Sequence, residues 1–239
     1  MKVKNLIKLT GLALILGISI QSFSQIQKSN IMDNTRSEKI GLLVIMKANK
    51  GKEQEVKEFL LGGLSLANAE PKTESWFAFQ IDEQTFGIYD TFEAEEGRQM
   101  HLKGEVAKAL LSNAADILED FEASRDIKTI DVIASNHKAG NQNNGLLVIM
   151  KAKEGKTVSV EDFLRAGKSL VSDEPATLSW YAFKINEETY AIFDTFANDS
   201  GRDAHLTGKV AAALMENAPA ILEGFEPSAI QKVNILASK

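Results

Sequence analysis

The 239-residue chain contains no cysteine. That excludes a disulfide framework, a thiolate zinc site, an iron–sulfur cluster, a cysteine nucleophile and an acylated cysteine anchor. Histidine is nearly as scarce, at three residues, and there are only two tryptophans and four prolines. Cations are in the minority: 27 Lys and Arg stand against 33 Asp and Glu, a formal charge of −6. An acidic chain of this kind lacks the cationic surface that phosphate backbones demand, which excludes nucleic acid as the expected partner. Long apolar runs are missing too. The best is Leu9 to Ile20, about 12 residues against the roughly 20 that span a bilayer. With 44% hydrophobic and 25% charged residues the composition is that of a globular protein, and the length favours two modest domains over one.

The order of the first 24 residues is basic, then apolar, then small: Lys2, Lys4 and Lys8, the run to Ile20, then Ser22 and Ser24. This is the pattern of a secretory signal peptide. Its removal takes three lysines and no acids from a charge of −6, leaving −9. The expectation is an exported protein, periplasmic or secreted, with no membrane contact after cleavage, and a polar segment at 25–39 ahead of the folded part.

The rest is one module written twice. Gly41 to Phe121 aligns with Gly145 to Phe225 at a constant offset of 104, and roughly 45 of the 81 positions are identical. A tandem duplication, not a solenoid period, produces such a pattern. Each copy reads strand, helix, hairpin, helix, strand. The opening run Gly41-Leu42-Leu43-Val44-Ile45-Met46 is continuously apolar, as in a strand covered on both faces. Val56, Phe59, Leu60, Gly63 and Ala67 recur at helical spacing, and Glu70-Pro71 stops that helix. Strands at Ser75 to Ile81 and Thr85 to Thr91 turn at Asp82-Glu83-Gln84. The stripe from Val106 to Phe121 predicts a second helix, broken near Asn113 because the other copy carries Pro219 in that region. Ile127 to Ala134 closes the module.

The order βαββαβ is the ferredoxin-like plan, an α+β fold with two helices on one face of a four-stranded sheet. In the hairpin, Trp76 and Ala78 point one way and Phe77, Phe79 and Ile81 the other, and both sets are apolar. One helical layer covers only one of them, so the second face needs a partner, and the duplicate is the economical one. The domains expected are 40–135 and 145–239, joined by a polar linker at 136–144 with a span of about 17 Å and a reach near 30 Å. This predicts an intramolecular pseudo-dimer, and leaves further association through remaining sheet edges open.

Both modules resemble the antibiotic biosynthesis monooxygenase (ABM) domain of the dimeric α+β barrel superfamily, which also holds quinol monooxygenases and haem-degrading monooxygenases. The resemblance rests on the βαββαβ order, on Glu70-Pro71 ahead of Trp76 to Phe79, and on Asp90-Thr91-Phe92 followed by Gly97 to Gly104. The second copy repeats these as Glu174-Pro175, Trp180 to Phe183, Asp194-Thr195-Phe196 and Gly201 to Gly208. It implies an apolar pocket between each sheet and its helices for a flat aromatic such as a quinol. The chemistry implied is cofactor-independent: the deprotonated substrate itself passes an electron to dioxygen, and the protein supplies a desolvated slot, a proton acceptor and oxyanion donors.

On that reading His101 and His205 are the candidate proton acceptors, each with a glycine on either side that leaves the imidazole unobstructed; the structural alternative is a histidine bonded to a strand carbonyl. His137 lies in the linker without a counterpart. Arg98 and Arg202, three residues before those histidines, are candidate anion stabilisers, or else pair with Asp90 and Asp194. Those aspartates either contact substrate or cap the following helix. Trp76, Trp180, Phe79 and Phe183 either line the pocket or fill the core. Glu70 and Glu174 read as solvated. No metal set is expected, since one histidine per module closes no ligand shell. Haem, held by a single axial histidine, is the alternative cofactor, although the asparagine of the haem-degrading branch has no secure match. Glycine-rich nucleotide loops and Gly-x-Ser-x-Gly elbows are absent. The remaining alternative is a non-catalytic module that binds a small apolar ligand.

Overall fold

The computed structural model describes residues 38–239. The leader expected at 1–24 and most of the segment at 25–39 lie outside them. The first module runs β1 (Ile40–Lys47), α1 (Glu53–Asn68), β2 (Ser75–Gln80), β3 (Thr85–Phe92), α2 (Glu95–Leu102), α3 (Glu105–Ile117), α4 (Ala123–Asp126) and β4 (Ile127–His137). The second runs β5 (Asn144–Lys151), α5 (Thr157–Ser172), β6 (Thr177–Lys184), β7 (Thr189–Phe196), α6 (Asp199–Leu206), α7 (Lys209–Ile221), a 3₁₀ turn (Pro227–Ala229) and β8 (Ile230–Ser238). No helix among the described residues is long and apolar enough to cross a membrane.

All pairings are antiparallel, and the strands close into one barrel in the order β1-β3-β2-β8-β5-β7-β6-β4. Within a module the order is that of a ferredoxin-like sheet. Between modules, β2 pairs with β8 and β4 with β6, each across an irregularity in register. Every strand therefore has two neighbours, and the sheet edges through which further association was left open are paired inside the chain. The linker is shorter than its composition suggests, because Asn136 and His137 continue β4 and pair with Trp180 and Ser179.

The alternation in the hairpin sorts the core into three clusters. Trp76 and Ala78 join Val44, Met46, Phe86 and Ile88 beneath α1 and α3, and Trp180 and Ala182 do the same beneath α5 and α7. Phe77, Phe79, Tyr89, Tyr181, Phe183 and Phe193 turn inward and fill the barrel. Two glycines make room for these rings. A Cβ on Gly87 would sit 2.2 Å from the Phe79 ring, and one on Gly63 3.1 Å from the Trp76 indole.

The expected break in the second helix does not occur. α3 passes through Asn113 and buries Val106, Ala107, Leu110, Ala114 and Ile117. Pro219 stands opposite Ala115, not Asn113, and falls near the end of α7, where one missing N–H leaves only one carbonyl of the preceding turn without its helical donor. The helix ends before Leu118, which is extended and bridges Ala48.

Candidate functional site

His101 lies in the last turn of α2, where the helix dipole favours a cation, and it is 5% exposed. Its Nδ1 is 2.6 Å from Glu70 Oε2 and its Nε2 3.2 Å from Asp90 Oδ2. Asp90 is brought there by β3, whose helix-facing side it shares with Ile88, and Glu70 by the turn after α1. Thr73 donates to the same Glu70 oxygen at 3.0 Å, and Phe92 covers the imidazole at 5.4 Å between centroids. The second module repeats the arrangement: His205 Nδ1 is 2.6 Å from Glu174 Oε2 and Nε2 3.3 Å from Asp194 Oδ2.

An imidazole facing an ionised carboxylate at each nitrogen donates from both, since a neutral ring would oppose one lone pair to another. Burial pushes His101 down, but Asp90 and Glu70 outweigh it and hold the imidazole up at about 9. Asp194 and Glu174 hold His205 at about 10. Burial raises the Asp90 and Asp194 carboxyls, against the pull of the adjacent imidazolium. At neutral pH each histidine is therefore a buried cation between two acids.

This geometry corrects several expectations. The glycines do not leave the imidazole unobstructed. Gly97 lets α2 approach the Lys72 backbone, where a Cβ would come within 3.1 Å of the carbonyl, and Gly104 admits the Glu70 carboxylate, whose Oε1 would be 2.4 Å from a Cβ. Glu70 and Glu174 are not solvated, with side chains 19% and 13% exposed. Their signal in the sequence is Glu-Pro-x-Thr, unchanged in both copies while the residues on either side of Glu-Pro differ. Arg98 and Arg202 do not pair with the buried aspartates. Arg98 bonds Glu95, and Arg202 bonds Asp199 and the carbonyl of Val233 at 3.3 Å. Asp90 and Asp194 do not cap α2 and α6. The first of those helices has no side-chain cap and the second is capped by Asn198, which accepts from the Gly201 N–H at 3.0 Å. Phe79 and Phe183 face the barrel interior, on the opposite side of the sheet from Trp76 and Trp180, so the four rings share no pocket.

A cleft of about 280 Å³ opens over the first triad, between the end of α1 and the α2–α3 elbow. Leu66, Pro71 and Met100 form its apolar walls, and Glu70 and His101 face into it. Of the residues expected to make a site in this module, only His101 lines it; Arg98, Trp76, Phe79 and Asp90 do not. Haem does not fit the donor set, because an imidazolium engaged at both nitrogens has no lone pair for iron.

His137, assigned above to the linker, belongs to a second buried network at one end of the barrel. Its Nε2 is 2.5 Å from Glu38 Oε2, while Ser75 and Thr91 donate to Glu38 Oε1 at 2.6 and 2.9 Å. Tyr181 in turn donates to Ser75 at 2.8 Å. Burial pushes the Glu38 carboxyl up, yet His137, Ser75 and Thr91 together hold it below its ordinary value. In the other half Gln142 stands where Glu38 does, and accepts from Ser179 at 3.0 Å and from Thr195.

No family model and no curated protein matches the chain. Solved structures do. A "putative monooxygenase" of Fusobacterium nucleatum superposes with a TM-score of 0.73 at 14% identity, over 86% of this chain and 95% of its own. Another protein so named, from Lactobacillus acidophilus, reaches 0.69 at 13% identity, over 84% and 95%. A protein of unknown function from Nitrosomonas europaea is 39% identical over 44% of this chain and 98% of its own, with a TM-score of 0.41. Two βαββαβ modules, joined edge to edge in one polypeptide and similar in fold to these structures, make this chain a single-chain dimeric α+β barrel.

Proposed function

We propose that the protein is an exported, cofactor-independent monooxygenase of a small quinol-like aromatic, working in the cleft over His101. The observation that carries this reading is a cleft of about 280 Å³, walled by apolar side chains, that opens directly on a carboxylate–imidazolium–carboxylate triad. Residues 1–24 supply the argument for export.

The roles differ from those expected from sequence. His101 enters the reaction already protonated, so the first proton acceptor is Glu70. A substrate hydroxyl hydrogen-bonded to Glu70 passes its proton to that carboxylate. Glu70 keeps that proton as the neutral acid. The imidazolium beside it, still held by Asp90, stabilises the quinolate oxygen by its charge. The quinolate then supplies the electrons: one hydroquinone and one O₂ give one hydroxyquinone and one water, with no other reductant.

An oxygen electrode with a panel of hydroquinones tests this. One O₂ is expected per hydroquinone oxidised, without hydrogen peroxide, and ¹⁸O₂ should label the product hydroxyl. Glu70→Gln should slow uptake about 100-fold, the lower end of what a positioned base contributes. Uptake no faster than autoxidation in buffer would refute the reading. A second reading is favoured by the recurrence of the triad in both halves with every ring nitrogen engaged: a non-catalytic module in which the triads fasten helices to the sheet. It predicts thermal stabilisation by an aromatic ligand with no oxygen uptake.

A further inference from the structure

The duplication places two versions of the cleft in one molecule, and their triads match while their rims do not. At the first cleft, Lys72 reaches over α2 to pair with Glu96 at 2.5 Å, and Met100 stands 50% exposed at the wall. The equivalents in the second module are Ala176, Ser200 and Ala204, which can build neither the ion pair nor the wall. Ala69 and Glu105 also line the first cleft. Their equivalents, Asp173 and Lys209, have opposite charges and lie 3.4 Å apart, joining the end of α5 to the start of α7 where the first module has an open mouth. An exposed thioether on a cleft rim is costly in water and useful against a ring, since Met is flexible and its sulfur packs well on aromatic edges. A charge pair across the mouth acts the other way, because an apolar ligand would have to desolvate it.

We infer that the small-molecule site is confined to the N-terminal module, with Met100 and Lys72 setting its depth and selectivity, and that the C-terminal module keeps the triad without the site. The inference deepens the function proposed above and rests on it for the class of ligand, a phenolic aromatic of one or two rings. Met100 packs against the ring edge. The Lys72 stem extends the wall while its ammonium stays in water beside Glu96. The second triad then serves only to fasten α5, α6 and α7 to their sheet.

Calorimetry with 1-naphthol tests this, because that phenol has a single hydroxyl and is not a quinol. The parent should bind one molecule per chain. Lys72→Ala/Met100→Ala should weaken binding at least tenfold with an unchanged melting temperature. The reciprocal graft, Asp173→Ala/Ala176→Lys/Ser200→Glu/Ala204→Met/Lys209→Glu, should raise the stoichiometry to two. Two molecules bound by the parent, no binding at all, undiminished affinity in Lys72→Ala/Met100→Ala, or a folded graft that still binds one would each overturn the inference. Failure of the oxidase chemistry looks different: naphthol bound once, lost in the rim variant, and hydroquinones that draw no oxygen.

Discussion

His101→Ala/His205→Ala should destabilise the protein by roughly 6–10 kcal/mol, about 3–5 kcal/mol for each histidine. Each substitution leaves a buried aspartate and a partly buried glutamate facing one another across a space from which the cation they share has gone. The two triads lie in different modules and share no partner, so the losses should add. Against the roughly 5–15 kcal/mol that holds a typical domain folded, the double variant should be largely unfolded in mild denaturant. Urea melts of the parent and both single variants measure this. A loss below about 1 kcal/mol per histidine would mean that the imidazoles are not the bridge described.

The same triads set a pH dependence. A histidine raised on folding stabilises the folded chain fully below the ordinary imidazole range near 6.5, and that contribution is lost as pH rises through about 9 for His101 and about 10 for His205. The melting temperature of the parent should therefore fall between pH 6.5 and 10, and each single variant should show a shallower fall.

Phe193→Ala should cost about 3–5 kcal/mol. Phe193 comes from the second module, yet its ring packs against three rings of the first, at 5.4 Å from Phe77, 5.1 Å from Phe79 and 5.1 Å from Tyr89. The barrel wall cannot collapse into the resulting hole without breaking strand pairing on both sides. For a chain of this size the melting temperature should drop by roughly 6–20 °C. Leu111→Ala, at a residue 52% exposed, should change stability by no more than about 0.5 kcal/mol. Equal effects at the two positions would argue against a barrel packed by both modules at once.

Much of this architecture is legible in the sequence because it is written in local period. The strand–helix–hairpin order and the two apolar faces of the hairpin follow from residues within about ten positions of one another, and the duplication follows from direct comparison at the constant offset of 104. The alternation even separates Trp76 from Phe79, three residues apart on one strand and hence on opposite faces; a pocket lined by both goes against it. What local pattern does not carry is pairing over distance. Joining β2 to β8 and β4 to β6 depends on register irregularities that no turn signal marks. Glu70 reads as solvated because proline follows it, and only the approach of α2 and the bare Cα of Gly104 make its carboxylate the partner of a residue 31 positions on. Arg98, for its part, finds the nearer acid, Glu95, since a neighbour one helical turn away is reached before a buried aspartate already taken. Glu38 and His137 stand 99 positions apart, and nothing in either segment announces the other.

Both triads depend on imidazoles that are charged and bonded at both nitrogens in the resting protein. An NMR titration that follows the ring nitrogens of His101 and His205 tests this most directly. Both rings should be doubly protonated at pH 7 and release a proton only near pH 9 and 10. Titration of either ring near 6.5, with one bare nitrogen at pH 7, would contradict the buried-cation triads and the oxyanion stabilisation proposed at the first of them.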